Sequence, residues 1–117
     1  MNFTEMSDNE ILTIVRPLAE HTENAWNEKN YENFCQYLLL EPDHDFTPEN
    51  FYEQIERNYE RLGLHTVKEH IAIHKNPDNA VVMWKLGIEN RAEPGVIIYI
   101  FTEHENEIVI TGCTLHD

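Results

Sequence analysis

The last third of the chain has the alternating pattern of β-strands. Apolar side chains recur at every second position in two stretches, and several residues between them are apolar too. These positions are Val82, Trp84, Leu86 and Ile88 in the first stretch and Ile98, Ile100 and Thr102 in the second. Two residues is the period of a strand, so the pattern predicts an antiparallel meander from Val81 to His116. We expect this sheet to be buried on both faces over much of its length.

Another strand is predicted before the meander, from about His65 to Lys75. Its positions alternate between an apolar set that includes Val67 and a more polar set that includes His70. Turn residues then separate the strands: Asn76–Asn79 with a proline at its second position, Glu93–Gly95, and Glu105–Asn106. Short turns join antiparallel neighbours, so each strand is expected to pair with the next one along the chain.

The N-terminal part has the 3.6-residue period of an amphipathic helix. Ser7 and Glu10 fit a capping box, which predicts a helix that begins here, bends at Pro17 and ends near Lys29. Its apolar stripe consists of Ile11, Ile14, Val15, Leu18, Thr22, Ala25 and Trp26. This stripe is expected to pack on the sheet.

Two further helices are predicted before the first strand. Asn30 can cap a second, shorter helix, which Pro42 ends. Its apolar face would be Tyr31, Phe34, Cys35, Leu38 and Leu39. Thr47 as N-cap, Pro48 in the first turn and Gly63 as C-cap predict the third helix. Together these patterns predict one α+β domain over residues 1–117, with three N-terminal helices packed on a four-stranded antiparallel sheet.

The composition excludes several classes of partner. The chain has 22 acidic and 8 basic residues, a net charge of −14, so nucleic acid and anionic membrane surfaces are not expected partners. No signal peptide and no stretch long enough to span a membrane is present, which predicts a cytoplasmic protein. Cys35 and Cys113 lack the spacing of a redox or metal motif, so we expect buried, reduced thiols.

Three strings of residues give the chain a family resemblance. They are Ala25–Phe34 between the first two helices, Thr47–Phe51, and Leu62–Gly63 at the end of the third helix. With the C-terminal meander, they resemble the nuclear transport factor 2-like superfamily, which includes SnoaL-like and ketosteroid-isomerase-like proteins. The resemblance implies a curved sheet, the cystatin-like cone, whose concave face and helices enclose an apolar pocket. It also implies that the convex face makes a homodimer.

The resemblance also suggests site residues. In enzymatic members of the superfamily, a carboxylate near the end of the second helix removes a proton next to a carbonyl, which implies Asp43 or Asp45 as the base. Tyr31 or Tyr99 would then donate to the developing oxyanion. A ligand pocket is expected to include the residues Trp26, Tyr31, Cys35, Trp84 and Tyr99. For the aromatic members of this set, core packing is the alternative interpretation.

The sequence predicts no metal site and no cofactor. His70 and His74 lie four residues apart on one strand, about 13 Å, which is too far to share one ion even with His116 as a third ligand. No phosphate-binding loop and no pair of cysteine and histidine with catalytic spacing is present. Lys85 interrupts an apolar strand and is expected to pair with Glu69 across the sheet.

Three functions fit these observations. The first is a non-catalytic domain that binds a small apolar or amphipathic molecule and dimerises through the sheet. The second is a SnoaL-like isomerase or cyclase, and the third is an acidic protein-interaction module whose pocket is filled by its own side chains. For the dimer, we expect the uncovered sheet face, with residues such as Val81, Met83, Ile97 or Tyr99, to meet a second copy.

Overall fold

The computed structural model describes residues 2–117 and confirms the predicted α+β class. A short 3-10 helix, Phe3–Glu5, precedes the three α-helices. The α-helices are α1 Asp8–Asn27, α2 Tyr31–Cys35 and α3 Pro48–Leu62, and the strands are β1 His65–Lys75, β2 Asn79–Ile88, β3 Gly95–His104 and β4 Glu107–His116. The strands form one curved antiparallel sheet in the order β1-β2-β3-β4, as predicted.

The helices cover only one face of the sheet, so the expectation of two buried faces is wrong. On β2 and β3, buried residues alternate with half-exposed ones. The register pairs Val82 with Tyr99 and Trp84 with Ile97, and all four side chains face the core. Ile97 and Tyr99 were expected on the uncovered face, but this register places them on the inner one. One layer of helices cannot cover both sides of a sheet, so the other face stays half-exposed.

The helix α2 is shorter than predicted because the chain that follows it joins the sheet instead. It ends at Cys35, and Leu38 then makes a parallel bridge with Ile110 on β4. Two backbone hydrogen bonds hold this contact, from Leu39 N to Ile110 O at 2.9 Å and from Ile110 N to Tyr37 O at 2.7 Å. The backbone of this segment therefore bonds with the edge strand, so it cannot continue the helix.

The strand β1 departs from simple alternation. Register shifts occur on either side of His70, and only His65 and Val67 on this strand are buried. The Arg16 guanidinium on α1 donates to Val67 O at 3.0 Å and to Lys68 O at 2.7 Å where the first irregularity begins. Arg16 on α1 thus supplies hydrogen-bond donors to the bulged backbone. On the same strand, Glu69 lies 3.4 Å from Lys85, which confirms the predicted pair.

The helix α1 is continuous through Pro17 and ends at Asn27, two residues before the predicted end. Its capping box is present as predicted, with Glu10 N donating to Ser7 Oγ and Ser7 N donating to Glu10 Oε1. None of the helices in residues 2–117 is long and apolar enough to cross a membrane.

The N-cap of α3 gives a first prediction. Thr47 Oγ1 accepts a hydrogen bond from Asn50 N at 3.2 Å, and Pro48 occupies the first turn, where an N–H would have no helical partner. We therefore expect Thr47→Ala to lower the free energy of unfolding by about 1 kcal/mol and Pro48→Ala to change it little. Chemical denaturation of both variants measures this difference, and the reverse order of effects would contradict it.

Candidate functional site

A cavity lies between the helices and the inner face of the sheet. Its volume is about 480 Å³, and its wall is formed by residues of α1, α2, α3, β1, β3 and β4 and of the segment 38–40. Most of the wall is apolar, with contributions from Phe34, Leu38, Leu62, Ile97, Ile110 and Leu115. A mostly apolar hollow with a few convergent polar groups is the usual form of a small-molecule site.

A buried carboxylate forms the polar centre of this wall. Glu23 on α1 is only 4% exposed. One of its oxygens lies 2.8 Å from Nδ1 of His65 on β1, and the other accepts a hydrogen bond from the Tyr99 hydroxyl on β3. A carboxylate in the interior is costly unless donors surround it, and these two contacts supply them. The three side chains, called the Glu23 cluster below, therefore connect one helix to two strands.

Protein contacts fix both the backbone and the ring of His65. The Asn27 side chain makes two hydrogen bonds with the His65 backbone. It accepts from His65 N and donates to His65 O, each at 2.8 Å. The imidazole stacks on Trp26, with ring centres 3.9 Å apart and planes at 10°. Nε2 of the same ring is buried and has no hydrogen-bond partner among residues 2–117. The position of the ring is therefore fixed, but its Nε2 lacks a hydrogen bond.

Sequence reasoning missed Glu23 and His65, although a signal for each was present. Glu23 lies four residues after Ala19 and three before Trp26, so it shares the buried stripe of α1. His65 lies two residues before Val67 on β1 and therefore on the same buried face of the strand. A carboxylate on an apolar helical stripe, with a histidine on a buried strand position, is the pattern that could have revealed the cluster.

Burial and the Glu23 charge suppress ionisation of the neighbouring groups. They raise the pKa of Tyr99 well above its ordinary value, burial being the larger cause. The pKa of Cys113 rises to about 12, first through burial and then through the Glu23 carboxylate, and a hydrogen bond with Tyr99 offsets part of the rise. Cys113 is exposed on β4, where it lines the cavity. Both groups are therefore neutral near pH 7.

An ion pair lies at the opposite part of the wall. Arg61 on α3 contacts the Asp117 carboxylate at 2.6 Å, and Arg91 approaches the same oxygen at 3.4 Å. The hydrogen bond from Arg61 is the main cause that lowers the pKa of Asp117. Arg61 also donates to Asn58 Oδ1 at 2.9 Å. The charges at this part of the wall are thus already paired within the protein.

The residues expected in the pocket lie in different places. Trp26 lines the cavity, and Tyr99 lies behind the wall, bonded to Glu23. Trp84 is fully buried in the core, and its Nε1 has no partner among the described residues. Tyr31 donates to Phe46 O at 2.6 Å, and Cys35 is half-buried on α2. The structure does not include these last three in the lining, and their roles in ligand binding stay predictions.

The candidate catalytic acids lie outside the cavity wall. Asp43 and Asp45 are exposed in the connection between α2 and α3. Neither belongs to the lining, so their role as a base stays a prediction. Both cysteines are free as expected, but Cys113 faces the cavity instead of being buried. Within residues 2–117, no three metal-ligating side chains converge, and the histidines weighed for a metal are exposed on β1 and β4.

Comparison with known proteins identifies the fold. No protein-family model matches the sequence, and no curated protein matches it significantly. Among solved structures, an NTF-2 like protein of unknown function from Shewanella oneidensis MR-1 is 16% identical with a TM-score of 0.64, and the match covers 92% of this chain and 99% of that one. A designed protein, a variant of Rd1NTF2_05, is 11% identical with a TM-score of 0.63 over 91% of this chain and 98% of its own.

A third similar structure is larger. Bd1075 from Bdellovibrio bacteriovorus is 12% identical with a TM-score of 0.57, and the match covers 95% of this chain but 43% of that one. At these identities the similarity shows the fold alone. The chain has the nuclear transport factor 2-like fold, which confirms the resemblance noted in its sequence.

The raised pKa of Cys113 gives a second prediction. Only the thiolate reacts with disulfide reagents, so a pKa of about 12 leaves a very small reactive fraction at pH 8. In a Cys35→Ser background, we expect Cys113 to react with 5,5′-dithiobis(2-nitrobenzoate) at least about tenfold more slowly than N-acetylcysteine, because the small thiolate fraction outweighs the greater nucleophilicity of a thiolate with a high pKa. The rate should rise as the pH approaches 12.

The cause of the slow reaction can be tested separately. Because the Glu23 charge disfavours the thiolate, Glu23→Gln in the same background should speed the labelling of Cys113 at a fixed pH. Labelling as fast as that of N-acetylcysteine in the parent, or no change on removing the charge, would contradict this account. Circular dichroism checks that the variant stays folded.

Proposed function

We propose that this chain is a non-catalytic domain that binds a small, largely apolar molecule in the cavity beside the Glu23 cluster. The observation that carries the proposal is a cavity of about 480 Å³ whose wall is apolar except at two polar regions. Such a volume suits a small organic molecule, and the partly polar wall can orient it. The similar proteins of the same fold include one whose function is unknown, so the cavity itself is the basis of the proposal.

The state of the carboxylates favours binding over proton abstraction. Among the described lining residues, only Glu23 and Asp117 are acids. Both oxygens of Glu23 accept hydrogen bonds, and Asp117 is paired with Arg61. A general base must be free to bond the proton that it removes. Neither acid is free in this way, which argues against Glu23 or Asp117 as the base of an isomerase or cyclase.

Uptake of a neutral fluorescent probe tests the cavity. We expect N-phenyl-1-naphthylamine to gain fluorescence on binding the wild-type protein, because the apolar wall excludes water from the dye. Leu115→Trp should weaken this gain, since Leu115 lines the cavity and the larger side chain occupies part of it. Native mass spectrometry of the purified protein would also detect a molecule that already occupies the site.

Thr114→Trp is the matched control for this experiment. Thr114 is the neighbour of Leu115 on β4, is exposed and does not line the cavity, so its substitution should leave uptake unchanged. If the wild-type protein takes up no probe and carries no molecule, the binding function is wrong. That result would favour an acidic interaction module.

We further propose that the uncovered sheet face forms a homodimer. Its outward residues on β2 and β3 are half-exposed and mostly apolar, comprising Val81, Met83, Val96, Ile98 and Ile100. No acidic residue belongs to this outward set on the two strands, although the chain carries 22 acids. Lys85 lies on the same face and pairs with Glu69. A face that is mostly apolar and lacks acidic residues on these two strands is suited to meet a copy of itself about a two-fold axis.

The dimer should strengthen as salt rises. Two copies with a net charge of −14 repel each other, and salt screens this repulsion beyond roughly 8 Å. We expect sedimentation at tens of micromolar protein to give more dimer at about 0.5 M salt than at low salt. Ile98→Asp should abolish the dimer, whereas Tyr52→Asp on the exposed face of α3 should not. A monomer under both salt conditions would contradict the proposal.

A cytoplasmic location is part of the same proposal. Both cysteines are free thiols, and the chain carries a high negative charge. Free thiols persist in a reducing compartment, which supports this location. Fractionation of cells that express the tagged chain tests it, and recovery outside the cytoplasmic fraction would contradict it.

A further inference from the structure

The unbonded nitrogen of His65 points to a specific requirement in the ligand. Nε2 is one of the buried polar side-chain atoms in residues 2–117 that have no partner. The residue is 4% exposed and belongs to the cavity wall. A buried polar atom that bonds neither protein nor water costs about 1–3 kcal/mol. Because other atoms of His65 line the cavity, a bound molecule is the nearest source of the missing hydrogen bond.

The partner of Nδ1 determines what Nε2 can do. Nδ1 lies 2.8 Å from a Glu23 oxygen, and a carboxylate oxygen can only accept a hydrogen bond. The proton of the neutral imidazole is therefore on Nδ1, and Nε2 carries a lone pair. The free position on the ring is thus a hydrogen-bond acceptor, which needs a donor from the ligand.

No group in the cluster can provide that donor. The Tyr99 hydroxyl donates to Glu23, and Glu23 itself has no proton to give. The ring cannot turn toward another partner without losing both the Glu23 contact and the stack on Trp26. The backbone cannot shift freely either, because the Asn27 side chain bonds both His65 N and His65 O.

We propose that the cavity selects molecules with an apolar body and one hydroxyl group, an alcohol or a phenol, that donates to His65 Nε2. This inference rests on the proposed binding function and adds the class of ligand. An ether or ketone of the same shape lacks the donor. An anion would be repelled by the buried Glu23 carboxylate on the same wall, and the Arg61 charge is already paired with Asp117.

Access to the nitrogen requires a small adjustment of the wall. Nε2 is buried, so bulk water does not bond it in this conformation. A ligand hydroxyl reaches it when a neighbouring lining side chain moves aside. The exchange is favourable because the acceptor is unbonded before the ligand arrives, so no existing hydrogen bond is lost at that atom.

Two matched probes test the donor requirement. 4-Phenylphenol and 4-methylbiphenyl have nearly the same shape, and only the first carries a donor. The methyl compound is more apolar, so the informative quantity is the ratio of the two Kd values and how this ratio changes with the protein variant. Both constants are measured by displacement of N-phenyl-1-naphthylamine from the wild type, His65→Phe and His70→Phe.

His65→Phe keeps an aromatic ring for Trp26 but removes both nitrogens. We expect it to shift the Kd ratio against 4-phenylphenol by about tenfold relative to the wild type, while 4-methylbiphenyl still binds. His70→Phe makes the same change at an exposed histidine of β1 outside the lining and should leave the ratio unchanged. An unchanged ratio in His65→Phe overturns the inference. If the wild type binds N-phenyl-1-naphthylamine but neither compound displaces it, the inference is also overturned; failure of the wild type to bind N-phenyl-1-naphthylamine overturns the binding function instead.

A measurement on the wild type covers the case in which His65→Phe does not fold. In protein labelled with ¹⁵N-histidine, the Nε2 resonance of an unprotonated ring shifts when that atom accepts a hydrogen bond. We expect 4-phenylphenol to move the His65 Nε2 signal and 4-methylbiphenyl to leave it in place. Equal shifts with both probes, or none with either bound probe, would overturn the inference.

Discussion

The Glu23 carboxylate links parts of the chain that lie far apart in sequence. It meets His65 across 42 positions and Tyr99 across 76, so α1, β1 and β3 converge on one charged group. An isolated carboxylate in the interior would cost several kcal/mol, and removal of one donor would leave much of that cost uncompensated. The orientation of α1 on the sheet is therefore tied to the two donors, in addition to the apolar packing of its stripe.

Local signals explain what could be predicted. The Ser7 capping box, the Thr47 cap and the turn at Asn106, which has a φ of 67°, depend on residues within a few positions of each other. Alternation along β2 and β3 gave the strands and their order for the same reason. The fold class follows from these local preferences, since three helices before a meander leave few ways to bury the apolar faces.

The differences between the predicted and the observed structure come from contacts between segments that lie far apart in sequence. The helix α2 stops early because Ile110, more than 70 residues later, bonds the backbone around Leu38. β1 loses its alternation where Arg16 bonds the bulged backbone. The Glu23 cluster is of the same kind: each member looks ordinary in its own stretch, and only the packing brings the three together. Periodicity shows which side of an element is buried, but not which buried polar groups will meet.

The bridge between Leu38 and Ile110 makes the size of the cavity independent of its polar chemistry. The residues 38–40 form part of its wall and are held to β4 through backbone hydrogen bonds, which do not depend on side-chain identity. The Glu23 cluster is held instead by α1, β1 and β3. Side chains at 38–40 can therefore vary in size without disturbing the hydrogen bonds of Glu23. The dimensions of the cavity and its chemical preference are set by different parts of the chain, so each could change in evolution while the other is kept.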